Sequence, residues 1–253
     1  MNDEPDGARG HRLHPKMPKI SPAIVRGIAA LQHLVQLDEG GRGIAALVRP
    51  GQLLAAAQTL ATPQKAGGVV VLTGFPCLRE RQQPMESDGP PGAVAVARTL
   101  VTIGRAPVVL AIEDYALSAL QLCVEASGPP ATAPEVAGFP TADRWTLADD
   151  ERLELLRTSS SSLVCLERAG EASDGVCRTM RGLPMGPALL GHMNRLLGSP
   201  GIQSVGIGDG GNELGMGSLY DDICAAIPKG AEIGCNRASD AVRSSQQLPP
   251  FLL

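Results

Sequence analysis

The chain contains 253 residues, of which 43% are hydrophobic and 2% aromatic, so it can bury a core but offers few rings for stacking against nucleic-acid bases. Its 22 Lys and Arg residues are outnumbered by 26 Asp and Glu residues, and the net charge of −4 disfavours binding to a phosphate backbone. Six cysteines without a CxxC pair and four histidines predict reduced thiols and disfavour a zinc site or a Ser-His-Asp triad.

The first predicted elements are helical and precede any strand. Residues 1–19 are polar and include three acidic residues, unlike a signal or transit peptide, and we expect them to form a disordered tail. Ser21 is placed to cap a helix that begins at Pro22 and ends near Gly40. A second, shorter helix is predicted after Pro50.

Four short apolar runs rich in β-branched residues predict buried strands of the parallel type. They are GGVVVLTGF (67–75), APVVLAI (106–112), SSLVCLE (161–167) and QSVGIG (203–208). A fifth, short edge strand is expected within residues 127–143. Helices are predicted from Asp88 onward, at 115–126, 146–157 and 184–198, and after a loop that begins at residue 209.

This alternation of strands and helices predicts an α/β domain, with a mostly parallel sheet and helices on both faces, of the Rossmann-like three-layer type. In open sheets of this kind, ligands bind beyond the carboxyl ends of the strands. Acidic or glycine-rich clusters follow all four predicted strands, which favours one composite site at that edge of the sheet.

The most informative segment is GIGDGGNELGMG (206–217), which has six glycines in twelve residues after a predicted strand. Closely spaced backbone amides in such a loop favour an anion. Asp209, Asn212 and Glu213 add acidic and amide groups. The alternative is purely structural, with these three side chains capping turns and a helix.

The same segment also fits a dinucleotide-binding fingerprint. Gly206, Gly208 and Gly211 match GxGxxG, and Glu232 lies about 20 residues further on, as the acid that binds a ribose should. The fingerprint normally opens the first βαβ unit, whereas this segment follows the last clear strand. Asp209 would also repel a pyrophosphate, so nucleotide binding is the alternative and not the main prediction.

Other candidate residues lie after the remaining strands. Glu86 and Asp88 precede a helix, where Asp88 alone would serve as a cap. Glu167 and Arg168 lie at a strand tip, where an arginine could bind a carboxylate through two hydrogen bonds or form a local ion pair. Glu113 is a weaker candidate at another strand tip.

Several segments together resemble the D-glutamate cyclase family, whose C-terminal domain was long catalogued as a domain of unknown function. They are GGRGIAALVRPGQLL (40–54), VVVLTGF (69–75), DGPPGA (88–93), ERAG (167–170) followed by a DG pair, and above all GIGDGGNELGMG (206–217). The resemblance runs from Arg26 to Cys235 and implies a cyclase-like domain at residues 20–235. It also implies a hydro-lyase that converts D-glutamate to 5-oxo-D-proline with loss of water.

The sequence departs from the family pattern in three places. We do not expect this chain to carry the hydro-lyase-like domain that precedes this one in vertebrate members. Val176, Cys177 and Arg178 replace an aromatic-rich stretch, and residues 236–253 form a divergent tail where family members continue with another strand. An inactive truncated isoform is therefore the alternative to an active cyclase. The resemblance implies the mitochondrial matrix, whereas the lack of a clear transit peptide leaves the cytoplasm open.

The cyclase resemblance gives the candidate residues hypothetical substrate-binding roles. Arg168 would hold the α-carboxylate of D-glutamate, with Glu167 beside it. The backbone amides of Gly208, Gly210 and Gly211, together with Asn212, would receive the γ-carboxyl oxygens. We expect a small-molecule substrate, and neither nucleic acid nor membrane as a partner.

Catalysis is assigned to three acids under the same hypothesis. Asp209, Glu213 or Asp88 would act as base and acid, with one pKa raised by burial or by a neighbouring acid. The sequence establishes no cofactor, but these three carboxylates would suit Mg or Mn.

Overall fold

The computed structural model describes residues 20–35, 37–63 and 65–240. The predicted tail at residues 1–19 lies outside the described residues, as does the predicted C-terminal tail from residue 241 onward. Within the described ranges, no helix combines the length and the apolar character that crossing a bilayer requires.

The core is a sheet of five parallel strands in the spatial order β3-β2-β1-β4-β5. The strands are β1 (Gly68–Gly74), β2 (Val108–Glu113), β3 (Glu135–Phe139), β4 (Ser160–Arg168) and β5 (Gln203–Ile207). All residues of β1 and β2 are buried, as continuous apolar strands covered on both faces should be. β3 is the predicted edge strand, and the predicted α/β fold class is confirmed.

The described residues also contain seven α-helices. They are α1 (Pro22–Val35), α2 (Gln52–Ala61), α3 (Gly89–Thr102), α4 (Asp114–Ala126), α5 (Leu147–Ser159), α6 (Tyr220–Ala226) and α7 (Gly230–Ile233). Asp88 caps α3, and prolines occupy its first turn, as the sequence predicts.

Alternate residues of the central strands face opposite helical layers, because successive strand side chains point to opposite sides of a sheet. Val71 packs in a cluster with Ala97 of α3 and Leu120 of α4. Leu72 packs in a second cluster on the other face, with Leu153 of α5 and Ile223 of α6. The result is the predicted three-layer arrangement.

The prediction of a helix at residues 184–198 is wrong, because only a short 3₁₀ helix forms there, at His192–Leu196. Pro184 and Pro187 each disfavour helical geometry in the residue that precedes them. The backbone N–H of Gly191 also donates to the Glu113 carboxylate at 2.9 Å and is therefore not available to a regular helix.

The last described residues support the glycine-rich segment 206–217. The N–H of Cys235 donates to the carbonyl of Gly211 at 2.8 Å, and the N–H of Ser239 donates to the carbonyl of Gly215 at 3.0 Å. In return, the N–H of Gly217 donates to the carbonyl of Arg237 at 3.0 Å. Residues 236–240 of the predicted divergent tail therefore help to hold this loop in place.

Candidate functional site

A cleft of about 360 Å³ lies at the carboxyl ends of β1, β4 and β5, the edge at which the sequence predicts a ligand. Three loops or strand ends supply its acidic residues, and two arginines also face it. The charged lining residues are Arg42, Glu86, Asp88, Glu167, Arg181, Asp209 and Glu213. The structure thus brings together five of the predicted acids, Glu86, Asp88, Glu167, Asp209 and Glu213.

Glu167 is at the centre of this acidic cluster. Its carboxylate oxygens lie within 4.8 Å of ligand atoms of Glu86 and Asp88, and equally within 4.8 Å of those of Asp209 and Glu213. Both groups consist only of oxygen donors, the ligands that Mg²⁺ and Mn²⁺ favour. The cluster can therefore either bind a cation or hold protons to relieve the repulsion among its charges.

The Glu167 side chain is held in an unusual position and carries a proton at neutral pH. Its φ of 45° lies in the left-handed region, which non-glycine residues seldom adopt. Burial and the nearby charges, first that of Glu213, raise the pKa of Glu167 from 4.5 to about 9. A carboxylic acid that keeps its proton at neutral pH is suited to donating it during a reaction.

Gly89 lets the backbone of α3 approach Glu167 closely. A Cβ atom at residue 89 would lie 2.9 Å from the Glu167 Cβ and 2.9 Å from the Thr73 Oγ1. Any larger residue would therefore push on the Glu167 side chain. This close approach explains why the first residue of α3 is glycine and not a common helix former.

The buried carboxyl group of Glu213 occupies the backbone donors of the glycine-rich loop. Its carboxylate accepts hydrogen bonds from the N–H groups of Gly210 at 2.8 Å, Gly211 at 2.7 Å and Asp209 at 3.3 Å. Burial is the main cause of the raised pKa of Glu213, and these amides counteract it. The place where a bound phosphate would lie in the nucleotide-binding alternative is filled by this carboxylate.

This arrangement corrects the predicted placement of the loop glycines. Gly208, Gly210 and Gly211 are not among the residues that line the cleft within the described chain. A Cβ atom at Gly208 would lie 2.6 Å from the Glu213 Cγ, so this glycine makes room for the buried glutamate. The N–H groups of Gly210 and Gly211 already donate to Glu213, and the predicted contact of Gly208 with a substrate stays a prediction.

Arg168 also differs from its predicted placement. Its side chain is 0% exposed, as is that of Glu113, and the two form an ion pair with Nη1 and Oε2 2.7 Å apart. The Nε of Arg168 donates to the Asn194 Oδ1 at 2.8 Å. The guanidinium therefore lies below the cleft, where it secures the end of β4 that carries Glu167.

Asp88 and Glu86 lie on the opposite side of the cluster from the glycine-rich loop. The Asp88 carboxylate accepts from the N–H of Gly89 at 2.9 Å, so its predicted capping role and its place in the cleft coexist. Burial raises the pKa of Glu86, which is hydrogen-bonded to the Cys77 thiol. Burial likewise raises the pKa of Cys77 to about 11, so this cysteine is a thiol at neutral pH and not a nucleophile.

Asn212 lines the cleft while being only 1% exposed. Its Nδ2 donates to the carbonyl of Arg178 at 2.7 Å, which fixes the orientation of the amide. Its Oδ1 has no partner among the described residues. An unpaired buried acceptor at a cleft is suited to receive a hydrogen bond from a ligand.

Sequence reasoning missed the two cationic residues of the cleft, Arg42 and Arg181. Arg42 forms two hydrogen bonds to Asp209, with donor–acceptor distances of 2.7 and 3.1 Å. Neither arginine follows a strand, so the rule that led to the acids does not include them. The signal that could have identified Arg42 is its position between glycines in the GGRG segment.

The raised pKa of Glu167 predicts a pH dependence of stability. Between the ordinary pKa of 4.5 in the unfolded chain and about 9 in the folded chain, the folded state binds more protons. The free energy of unfolding contributed by Glu167 should therefore fall as the pH rises through this window. Denaturant unfolding with EDTA present should show a flatter pH profile for Glu167→Gln than for the parent chain; identical profiles would contradict the assigned protonation state.

Two comparisons with known proteins indicate the same family. Residues 31–244 match a family model described as "D-glutamate cyclase-like, C-terminal". The chain is also 31% identical, over 238 residues, to a human protein named "D-glutamate cyclase, mitochondrial". The aligned region covers 90% of this chain but 37% of the human protein, so the chain spans little more than a third of that relative's length.

Proposed function

This chain belongs to the D-glutamate cyclase family, and on that premise we propose that it converts D-glutamate to 5-oxo-D-proline with loss of water. The observation that carries the proposal is the cluster of five carboxyl groups centred on Glu167 in one cleft. A reaction that moves protons between an ammonium and a carboxylate needs both a protonated and an ionised acid. Within the cluster, Glu167 is proposed as the protonated acid and Asp209 as the base.

The proposed reaction is an intramolecular dehydration. The substrate nitrogen forms a bond to the γ-carbon, and one γ-carboxyl oxygen departs as water. The ammonium loses two protons in becoming the ring amide N–H, and the departing oxygen gains two. Because both reacting groups belong to one molecule, the protein's task is to fold the substrate into a reactive shape and to relay those protons.

Glu167 is the proposed proton donor to the γ-carboxyl group. Its pKa of about 9 keeps it protonated at neutral pH, and the positive φ directs it into the cluster. Asp209 is the proposed base for the substrate ammonium, since it lies beside Glu167 and is half-exposed in the cleft. Asn212, whose Oδ1 is unpaired, is proposed to accept a hydrogen bond from the substrate.

We also propose that Mg²⁺ or Mn²⁺ binds in the cluster, because its oxygen-only donor set fits these ions. Asp88, Asp209 and Glu213 were the expected ligands, but the Glu213 oxygens already accept three backbone N–H groups. The remaining candidates lie on either side of Glu167: Glu86 and Asp88 form one group with it, and Asp209 belongs to the other. A bound cation would polarise a substrate carboxyl oxygen, and Glu167 would then act as a ligand in place of its role as proton donor.

Metal binding predicts a change in thermal stability that does not depend on activity. Adding Mn²⁺ at about 100 times its Kd to the EDTA-treated chain should stabilise it by about 2.7 kcal/mol, which raises the Tm by about 5 to 10 °C. Glu86→Gln and Asp209→Asn should each reduce that rise, whereas Glu151→Gln on α5 should not. An equal rise in all four proteins would place the ion elsewhere.

The cellular location of the chain is proposed from the relative alone. The human relative carries "mitochondrial" in its name, and we propose the mitochondrial matrix for this chain on that likeness.

The proposed function is tested by incubating the purified chain with D-glutamate, with and without Mn²⁺, and measuring 5-oxo-D-proline by chiral chromatography. L-Glutamate is the control substrate. Product from D-glutamate alone supports the cyclase. A cooperatively folded chain that forms no product would instead favour the inactive-isoform alternative.

A further inference from the structure

Arg42 is presented to the cleft by a tightly organised turn that precedes the sheet. The Asp38 carboxylate accepts hydrogen bonds from the N–H groups of Arg42 at 2.8 Å, Gly43 at 2.7 Å and Ile44 at 3.1 Å. Gly43 has a φ of 91°, and a Cβ atom there would lie 2.8 Å from the carbonyl oxygen of Ala226. The backbone of Arg42 is thus fixed on both sides.

The guanidinium of Arg42 already binds a carboxylate in the cleft. Its two terminal nitrogens contact the two oxygens of Asp209 in the fork geometry that suits carboxylates. The side chains of Arg42 and Asp209 are 46% and 42% exposed, respectively. An ion pair with this much exposure contributes little to stability, so another carboxylate can replace Asp209 at low cost.

A dicarboxylate substrate needs a cationic partner in this acidic cleft, and Arg42 can serve as that partner once it exchanges Asp209 for the substrate. Five acidic residues line the cleft, and those of them that are ionised repel the two carboxylates of glutamate. Arg181 is the other cation there, but it is exposed, and no hydrogen bond in the described residues orients its guanidinium. Arg42 combines a fixed backbone, a forked donor and a direct contact with the acidic cluster.

We propose that Arg42 binds the carboxylate of D-glutamate that ring closure leaves intact, an inference that rests on the proposed function. The substrate carboxylate takes the place of the Asp209 carboxylate on the guanidinium. Asp209 is thereby released to accept a hydrogen bond from the substrate ammonium. One exchange of partners both anchors the substrate and frees the proposed base.

The inference is tested with two substrates, D-glutamate and its α-amide, D-isoglutamine, which lacks the charged group that Arg42 would bind. The parent chain should prefer D-glutamate by about 10- to 100-fold in kcat/KM, the usual value of a charge-assisted contact. Arg42→Gln should raise the KM for D-glutamate by a similar factor and remove the preference. Arg42→Lys should restore only part of it, because lysine lacks the fork.

Two further variants make the test specific. Arg157→Gln removes an exposed arginine of α5 whose partner is Glu154, and it should match the parent chain. The inference is overturned if Arg42→Gln keeps the preference, or if Arg181→Gln is the variant that removes it. A folded parent chain that forms no product overturns the proposed function as well, whereas an active parent chain with an unchanged Arg42→Gln variant overturns this inference alone.

Discussion

Replacement of Glu167 by glutamine is expected to lower the kcat for D-glutamate by about 10²- to 10⁴-fold, the usual contribution of general acid–base catalysis. Glutamine has nearly the same shape but cannot release a proton. The side chain lies where four other acids converge, and its pKa of about 9 keeps it protonated at neutral pH. Steady-state kinetics at saturating D-glutamate measure the effect.

The expected loss of kcat in Glu167→Gln can be compared with a control variant, and one specific result would contradict it. Glu151→Gln makes the same chemical change on the exposed surface of α5 and should leave kcat unchanged. The Tm of Glu167→Gln should equal or exceed that of the parent chain, since the variant removes a destabilising buried acid. Near-normal turnover in Glu167→Gln, with turnover lost in Asp209→Asn, would move the role of proton donor to Asp209.

Replacement of Glu113 by alanine is expected to lower the free energy of unfolding by about 3–5 kcal/mol, because it leaves the Arg168 charge buried without its partner. Both side chains are 0% exposed, and their contact distance is 2.7 Å. The N–H of Gly191 loses its acceptor in the same variant. For a domain of this size, the Tm should fall by about 6 to 20 °C.

An exposed ion pair provides the comparison for this stability effect. Glu154→Ala removes the partner of Arg157 on α5, where both side chains are substantially exposed, and it should cost no more than about 1 kcal/mol. Urea unfolding at one pH, with equal m-values for the variants, measures both changes. Equal losses in the two variants would contradict the structural role assigned to the buried pair.

Much of the fold could be predicted because its strands are short, apolar and rich in β-branched residues. Val69 to Leu72 could scarcely be anything but a buried strand, and the acids that follow such strands meet at one edge of a parallel sheet. The prediction of a helix at residues 184–198 failed because it gave more weight to the apolar spacing than to the two prolines. In the structure, the backbone restrictions that the prolines impose prevent a regular α-helix in this segment.

The roles of individual site residues were harder to predict, since they depend on where each side chain points. Glu167 and Arg168 are neighbours on β4, and consecutive strand residues face opposite ways, so only one of them could enter the cleft. The sequence does not say which one. The side chain of Glu213 accepts hydrogen bonds from the loop amides through a buried contact. The spacing of residues in the sequence does not reveal that contact.

Arg42 illustrates a second limit of prediction from sequence. It is separated from Asp209 by 167 positions along the chain, and the two meet because the turn at Asp38 packs against the end of α6. No periodicity or strand-end rule connects such distant segments. Only the assembled fold shows that the acidic cleft includes an arginine.

The account is tested most directly by incubating the chain, without any nucleotide, with D-glutamate labelled with ¹⁸O at both γ-carboxyl oxygens. Intramolecular dehydration predicts 5-oxo-D-proline that retains one labelled oxygen, with the other released as water, and no product from the L-enantiomer. A cooperatively folded chain that forms no such product, with or without Mn²⁺, would contradict the assignment of this cleft as a cyclase site.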